Sequence, residues 1–380
     1  MNTFLTDKNR AVRRAARAFC EREIAPIAKQ IDQEASFPWE VADKMGRLGY
    51  FGIQAPKALG GAELDTASYV LIIEEISRAS GGLGLCVTVH NSVAVAPLLA
   101  FGTEAQKQRW IPPLARGEKI GAFCLTEPNA GSDASGIEAT ALKDGDHYCV
   151  NAGKVLVTNG GIADICLIFA RTDPRAGRRG ISVIVAERGT PGFSVGDLED
   201  LCGMRANPVS SIRLTDCRIS VGNRLGREGM GLAIGLAALD TGRIGIAAQA
   251  VGIARAALEE SVRYAKARRQ FGVPIARHQS IQQMIADMAT DLDAARLMVL
   301  RAAVRRDRGE PFSQASAMAK LHASEAAMRI TDHAVQIHGG YGYSKAYPVE
   351  RYWRDARVTR IYEGTSEIHR MVIARGVLGD

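Results

Sequence analysis

Aromatic residues are scarce in this chain, at 6% of 380 residues, and no basic block is interleaved with them. A stacking surface for DNA or RNA is therefore not expected. The seven cysteines (Cys20, Cys86, Cys124, Cys149, Cys166, Cys202 and Cys217) are odd in number and widely spaced, with no C-x-x-C. That pattern excludes a disulfide framework and a zinc site, and fits free thiols in a reducing compartment. The seven histidines form no H-E-x-x-H or comparable pattern, so no metal is expected. There is no P-loop and no G-x-G-x-x-G; the cluster Gly226-x-x-Gly229-x-Gly231 reads as a turn entering a helix. A signal-peptide apolar region is also missing. Ala79 to Thr103 carries no charge, but His90, Asn91, Ser92, Pro97 and several glycines interrupt it. It reads as a helix buried in protein rather than a membrane span.

What is present is ordinary globular composition. Apolar residues make up 47% and charged residues 23%, and the length allows two to four domains by the usual ~100–200 residues each. The net charge is +7, and Arg255 to Arg308 alone holds 11 Lys+Arg against 6 Asp+Glu. A solvated helix face or a phosphorylated small ligand accounts for such a stretch. Arg10, Arg13, Arg14 and Arg17 lie in an amphipathic segment with few acids, the composition of an organelle transit peptide. An ordinary first helix, capped by Thr6 with Val12, Ala16 and Phe19 on its apolar side, is the preferred reading.

Three zones follow along the chain. Residues 1–119 show helical periodicity, with helices expected at Thr6–Ser36, Pro38–Leu48, Thr66–Ala79, Val87–Ala100 and Glu104–Arg116. Residues 120–226 carry short β-branched runs between turn residues: Cys149-Val150, Val155–Thr158, Ile165–Arg171, Ile181–Ala186, Phe193–Val195 and Ile212–Thr215. A small antiparallel barrel or sandwich is the expected closure. Residues 227–380 return to long helices, with Ile281, Ile285, Met288, Leu292, Ala295 and Val299 on one face and a further helix at Phe312–His338. An antiparallel bundle is expected there. The α, β, α order lacks β-α-β alternation, which excludes a Rossmann domain.

Two stretches have the makings of chemistry. Leu125-Thr126-Glu127-Pro128-Asn129-Ala130-Gly131-Ser132-Asp133 reads as an irregular loop offering backbone N–H groups and hydroxyls to carbonyl or phosphate oxygens. In Ile361-Tyr362-Glu363-Gly364-Thr365-Ser366-Glu367-Ile368, Glu363 reads either as a solvated residue beside a helix cap or as a general base on a loop. Spacing alone leaves both open.

Together with Val157-Thr158-Asn159, Arg268-Arg269-Gln270-Phe271-Gly272 and Gln336–Gly340, these stretches resemble the acyl-CoA dehydrogenase family, most closely its short-chain (butyryl-CoA) branch. The resemblance runs from Leu5 to about Val377. It implies an α+β multidomain fold: an N-terminal helical domain, a middle antiparallel β-barrel and a C-terminal four-helix bundle. It also implies a homotetramer, a cytoplasmic location, no presequence, and no nucleic-acid or membrane partner.

Residue by residue, the resemblance implies an FAD site made by Leu125, Thr126, Ser132, Val157, Thr158, Thr365 and Glu367. Arg268, Phe271, Gln279, Gln336, Ile337, Gly339 and Gly340 would reach the FAD of a neighbouring subunit. Ser132, Asp240, Arg243, Tyr362 and Gly364 would line the acyl-CoA site. Glu363 matches the catalytic base; some members carry that Glu just before the residue matching Arg243, where this chain has Gly242. The implied reaction removes the α-proton to Glu363 and transfers the β-hydrogen as hydride to flavin N5, giving a trans-2-enoyl-CoA. Electrons would pass to electron-transferring flavoprotein. One departure stands out: Leu156 occupies the place of a Trp that in the family covers a flavin edge. It opens a second reading, an oxidase-like or biosynthetic relative acting on a modified acyl-CoA or carrier-protein thioester.

Overall fold

The computed structural model describes residues 5–379. Helix α1 (Asp7–Phe19) starts where the sequence placed its cap: the Thr6 hydroxyl accepts from Asn9 N at 3.2 Å, and the Asn9 side chain accepts in return from Thr6 N at 3.1 Å. The single helix expected to Ser36 is broken. A π-turn at Cys20–Ile24 precedes Pro26, which has no N–H for an intrahelical bond, and the chain resumes as α2 (Ala28–Gln33). Then come α3 (Trp39–Arg47), α4 (Thr66–Ala79) and α5 (Gly81–Val89). A second π-turn, His90–Val95, again lies just ahead of a proline, Pro97 in α6 (Ala96–Phe101), before α7 (Glu104–Ala115).

The sheet comprises β1 (Gly121–Cys124), β2 (Thr140–Asp144), β3 (His147–Val157), β4 (Ile165–Arg171), β5 (Ile181–Glu187), β6 (Phe193–Leu198), β7 (Ser210–Ser220) and β8 (Arg224–Leu225). The expected antiparallel barrel is not formed. The order is β6-β7-β3-β2-β4-β5-β8, open at both ends, with β1 running parallel to β4 and β2 meeting β4 in parallel at Arg171. Strand-sized runs separated by turns predict hairpins, but β1 and β2 both join β4 by crossover, and the two-residue β8 cannot close on the edge strand β6. Both sheet faces are covered. Ile165, Leu167 and Phe169 of β4 join a core with Leu98, Trp110 and Ile111, while Cys166, Ile168 and Ala170 join a second with Tyr148, Val150 and Ile212. Burial on both faces explains the uninterrupted apolar runs of β4 and β5.

Helix α8 (Gly231–Ala267), a small hairpin of β9 (Arg269–Gln270) and β10 (Val273–Pro274), α9 (Gln279–Asp307), α10 (Ser313–His338), α11 (Val349–Val358) and α12 (Ser366–Leu378) complete the chain. Helix α10 packs along α8 and α9, and α4 packs on α8. One hydrophobic core therefore joins Val70, Ile73 and Ile76 of α4 to Ile253, Met288 and Ala327 of α8, α9 and α10. Among the described residues two segments, Gly81–Phe101 and Gly231–Ala267, are long and apolar enough to cross a membrane, but most of each is buried inside the protein. Among the described residues no group of three His, Cys, Asp or Glu side chains is placed to hold a metal.

Candidate active site

The loop from α11 into α12 is held at several points. Tyr362 N–H donates to Val358 O at 3.2 Å, and its hydroxyl donates to Gln249 Oε1 at 2.6 Å. Gln249 is tied in turn to Gly81 O at 2.8 Å. Thr365 caps α12, accepting from Ile368 N at 3.4 Å. Ser366 donates to Glu325 Oε1 at 2.7 Å, and Lys320 Nζ donates to Gly364 O at 2.6 Å. Between these anchors Glu363 adopts a left-handed backbone, φ +52°, followed by Gly364 at φ +104°. A left-handed Glu stores strain that the surrounding contacts must hold.

Part of the Glu363 residue is accessible, but both carboxylate oxygens are buried and neither has a hydrogen-bond partner. Burial lifts the carboxyl pKa to about 8, against the opposing charges of Lys320 and Arg243. Beside it lies Gly242 in α8; a Cβ there would collide with the carboxylate. One residue on, Arg243 is buried and pairs with Asp240 Oδ1 at 2.6 Å, leaving its own Nε unpartnered. Burial raises the Asp240 pKa while Arg243 opposes the shift.

The Leu125–Asp133 loop reaches this region from the sheet. Lys154 of β3, fully buried, donates to Leu125 O at 3.1 Å and to Glu127 Oε1 at 2.6 Å. Glu127 also accepts from Glu138 N at 2.5 Å and Ala139 N at 3.1 Å. Val155 N donates to Thr126 O at 3.1 Å, so the two predicted motifs, Leu125–Asp133 and Val157–Asn159, lie side by side. Asn159 turns the chain in the left-handed region, φ +65°, and its buried amide donates to Cys86 O and Gly121 O at 3.3 Å each.

A cavity of about 200 Å³ lies between sheet and helices. It brings together Leu125, Thr126, Ser132, Thr158, Arg243, Tyr362, Glu363 and Gly364 of the expected site, with Leu156 at its wall. Arg268, Phe271, Gln336, Ile337, Gly339 and Gly340 line a separate groove of about 830 Å³, where Phe271 is 94% exposed. The remaining expected residues line neither. Val157 is inside the sheet core, Asp240 stands behind Arg243, Gln279 opens α9 at the surface, and Thr365 and Glu367 sit at the start of α12. Sequence reasoning missed Lys154, Gln249 and Lys320. The alternation of β3 points Lys154 inward with Ala152 and Val150, and Lys320 shares a helical stripe with Ser316, Ser324 and Ala327. A lone lysine on an apolar face was the available signal.

The acyl-CoA dehydrogenase N-terminal, middle and C-terminal domain models match residues 6–118, 122–217 and 229–378. The chain belongs to the acyl-CoA dehydrogenase family. Members of this family are FAD-dependent oxidoreductases. The chain is 46% identical over 374 residues to a short-chain specific acyl-CoA dehydrogenase of Clostridium acetobutylicum, covering 98% of this chain and 99% of that one. It superimposes on butyryl-CoA dehydrogenase of Megasphaera elsdenii with a TM-score of 0.97 at 43% identity, over 98% and 99% of the two chains. A chain in a solved structure on the electron transferring flavoprotein of Acidaminococcus fermentans and electron bifurcation gives 0.98 at 44% identity, with 99% of each covered. An acyl-CoA dehydrogenase fold of helical, sheet and helical domains is thereby established for this member of the family.

Proposed function

We propose that this acyl-CoA dehydrogenase oxidises a short-chain acyl-CoA to the trans-2-enoyl-CoA, with Glu363 as base and electron-transferring flavoprotein as acceptor. One observation carries the reading: a buried carboxylate with no partner for either oxygen, in a cavity shared with both predicted flavin motifs. A carboxylate lifted out of the ordinary acid range is basic enough to remove a proton next to a carbonyl. Gly242 leaves no second carboxylate at the alternative position of the family and gives Glu363 its space.

The residues present fit an FAD. Leu125, Thr126 and Thr158 supply apolar surface, a hydroxyl and backbone along the sheet side of the cavity, and Val89, Val93, Leu236 and Leu239 line its helical side. In the outer groove, a Cβ built on Gly339 or Gly340 would meet nothing within 4 Å, leaving bare backbone open to a ligand. The exposed cation Arg268 beside it suits a pyrophosphate. Bound FAD supplies the acceptor for the hydride that leaves Cβ. The protein's own part is to hold the thioester so that Glu363 reaches the α-proton, to donate the Glu363 backbone N–H to the thioester carbonyl, and to keep water from the carboxylate. Arg243 lines the cavity beside the base, with Asp240 paired behind it.

The similarity to a short-chain specific enzyme, to butyryl-CoA dehydrogenase and to a structure concerned with electron transferring flavoprotein supports substrate and acceptor. Domains at 1–119, 120–226 and 227–380, a C-terminal four-helix bundle, a homotetramer in which Gln279 and the outer groove serve a neighbour's FAD, and a cytoplasmic location are parts of the same proposal. Thr365 and Glu367 complete the cofactor site in this reading. Anaerobic addition of butyryl-, isobutyryl- and hexanoyl-CoA tests it: at least one is expected to bleach the bound flavin, and failure of all three overturns the substrate class. Leu156, 57% exposed at φ +53°, favours a second reading in which oxygen accepts the electrons. Rapid peroxide production in air would support that alternative, and slow reoxidation without electron-transferring flavoprotein would exclude it.

A further inference from the structure

Lys320 is a buried cation that the reaction described so far does not use. Its side chain is 0% exposed, in the first third of α10, a stretch rich in buried alanines. A buried ammonium is unfavourable unless it is used or paired. Its one hydrogen bond is to the carbonyl of Gly364, the residue after the base, at 2.6 Å. That carbonyl belongs to the second of two consecutive positive-φ residues, at the point where the chain would relax if it were released.

We propose that Lys320 is a positioning residue for the Glu363 base: its ammonium pins the Gly364 carbonyl, fixing the left-handed turn, and places a positive charge beside the carboxylate. The proposal rests on the acyl-CoA dehydrogenase reading and assigns a new part to a residue outside the cavity. Four helices contribute the groups that face this pair. Arg243, itself paired with Asp240, comes from α8, Glu325 from α10, Glu367 and His369 from α12, and Tyr69 from α4; Tyr362 of the loop also lies beside Glu363. Burial pulls the Lys320 pKa down, while an ionised Glu363 pulls it back up and so holds the charge on the ammonium. His369 is held neutral, at about 3, by burial and by the charges of Lys320 and Arg243, and does not compete for the proton. Lys320 and Arg243 are thus the two cations that favour an ionised Glu363.

The test is the pH profile of anaerobic flavin reduction in FAD-loaded wild type, Lys320→Met, Lys320→Gln and Lys320→Arg. Loss of the charge raises the Glu363 pKa. The acid limb of Met and Gln variants is expected to move upward by about one pH unit or more, with a roughly tenfold or greater slower maximum for Met. Lys320→Arg keeps the charge and is expected to keep the wild-type limb, at a reduced rate, because a guanidinium cannot repeat the single short contact. Infrared titration of the protonated-carboxyl band that disappears in Glu363→Gln reads the same shift without turnover. Wild-type limbs and an unmoved band in folded, FAD-binding Met and Gln variants overturn the proposal. So does failure of all three variants to fold and bind FAD, which would make Lys320 purely structural. If wild-type flavin itself resists every acyl-CoA, the functional reading fails and this proposal falls with it.

Discussion

The inner cavity around Glu363 and the outer groove around Phe271 hold the two halves of the expected site, and they are built in opposite ways. The loops of the inner cavity are braced by buried partners: Tyr362 by Gln249, the Gly364 carbonyl by Lys320, the Leu125–Thr126 turn by Lys154 and Glu127. At the rim of the outer groove Phe271 and Tyr341 are largely exposed and glycine backbone is uncovered. Chemistry needs fixed geometry, and the braced half supplies it from one chain. The open half offers an apolar rim to something outside the chain.

The comparison breaks first at Glu363. Glu363→Gln should leave FAD and acyl-CoA binding intact and slow flavin reduction by about 10²–10⁴-fold, read by anaerobic stopped flow. Gly242→Ala comes next. Alanine is the better helix former by about 1 kcal/mol, so Tm should hold or rise, yet its methyl meets the carboxylate and should cost more than about tenfold in reduction rate. Lys154→Met leaves Glu127 buried without its cation and should destabilise by about 3–5 kcal/mol, with FAD retention falling alongside Tm.

Two smaller effects sharpen the contrast. The Glu363 carboxyl titrates higher folded (about 8) than unfolded (about 4.5), so the native state binds the extra proton and loses relative stability as pH rises between those values. Glu363→Gln mimics the protonated form, and should therefore raise Tm at pH 8 while leaving it nearly unchanged at pH 4.5. In the outer groove Phe271→Ala should shift stability by less than about 0.5 kcal/mol, because nothing buries the ring within the chain. Its effect should appear as faster FAD loss on dilution, measured by flavin fluorescence.

Helices were the most legible part of the sequence. Thr6 as a cap, the stripe from Ile281 to Val299 and the stop at Gly339-Gly340 each follow from local chemistry, and α1, α9 and α10 obey them. The breaks at Cys20–Ile24 and His90–Val95 were not read, though Pro26 and Pro97 mark both. The positions of β4 to β7 were legible, but the short strands β1, β2 and β8 were not read, and neither was the pairing. Asn151 and Gly153 face solvent and two register shifts interrupt β3, so one strand looks like two runs, and nothing local says that β1 lies parallel to β4. For the site, Glu363 and the cavity loops were named from their motifs, and the cavity gathers them. Lys320 and Lys154 escaped because their meaning comes from partners 44 and 27 residues away in the chain.

The hydrophobic core that α4 shares with α8, α9 and α10 has a consequence for modularity. Residues 227–380, cut out and expressed alone, would present to water the face on which Val70, Ile73 and Ile76 now rest. A fragment of this kind should aggregate, and a graft of the segment onto another protein would have to bring its N-terminal cover along. The three family models divide the chain, but its helical ends share one hydrophobic core and should unfold together.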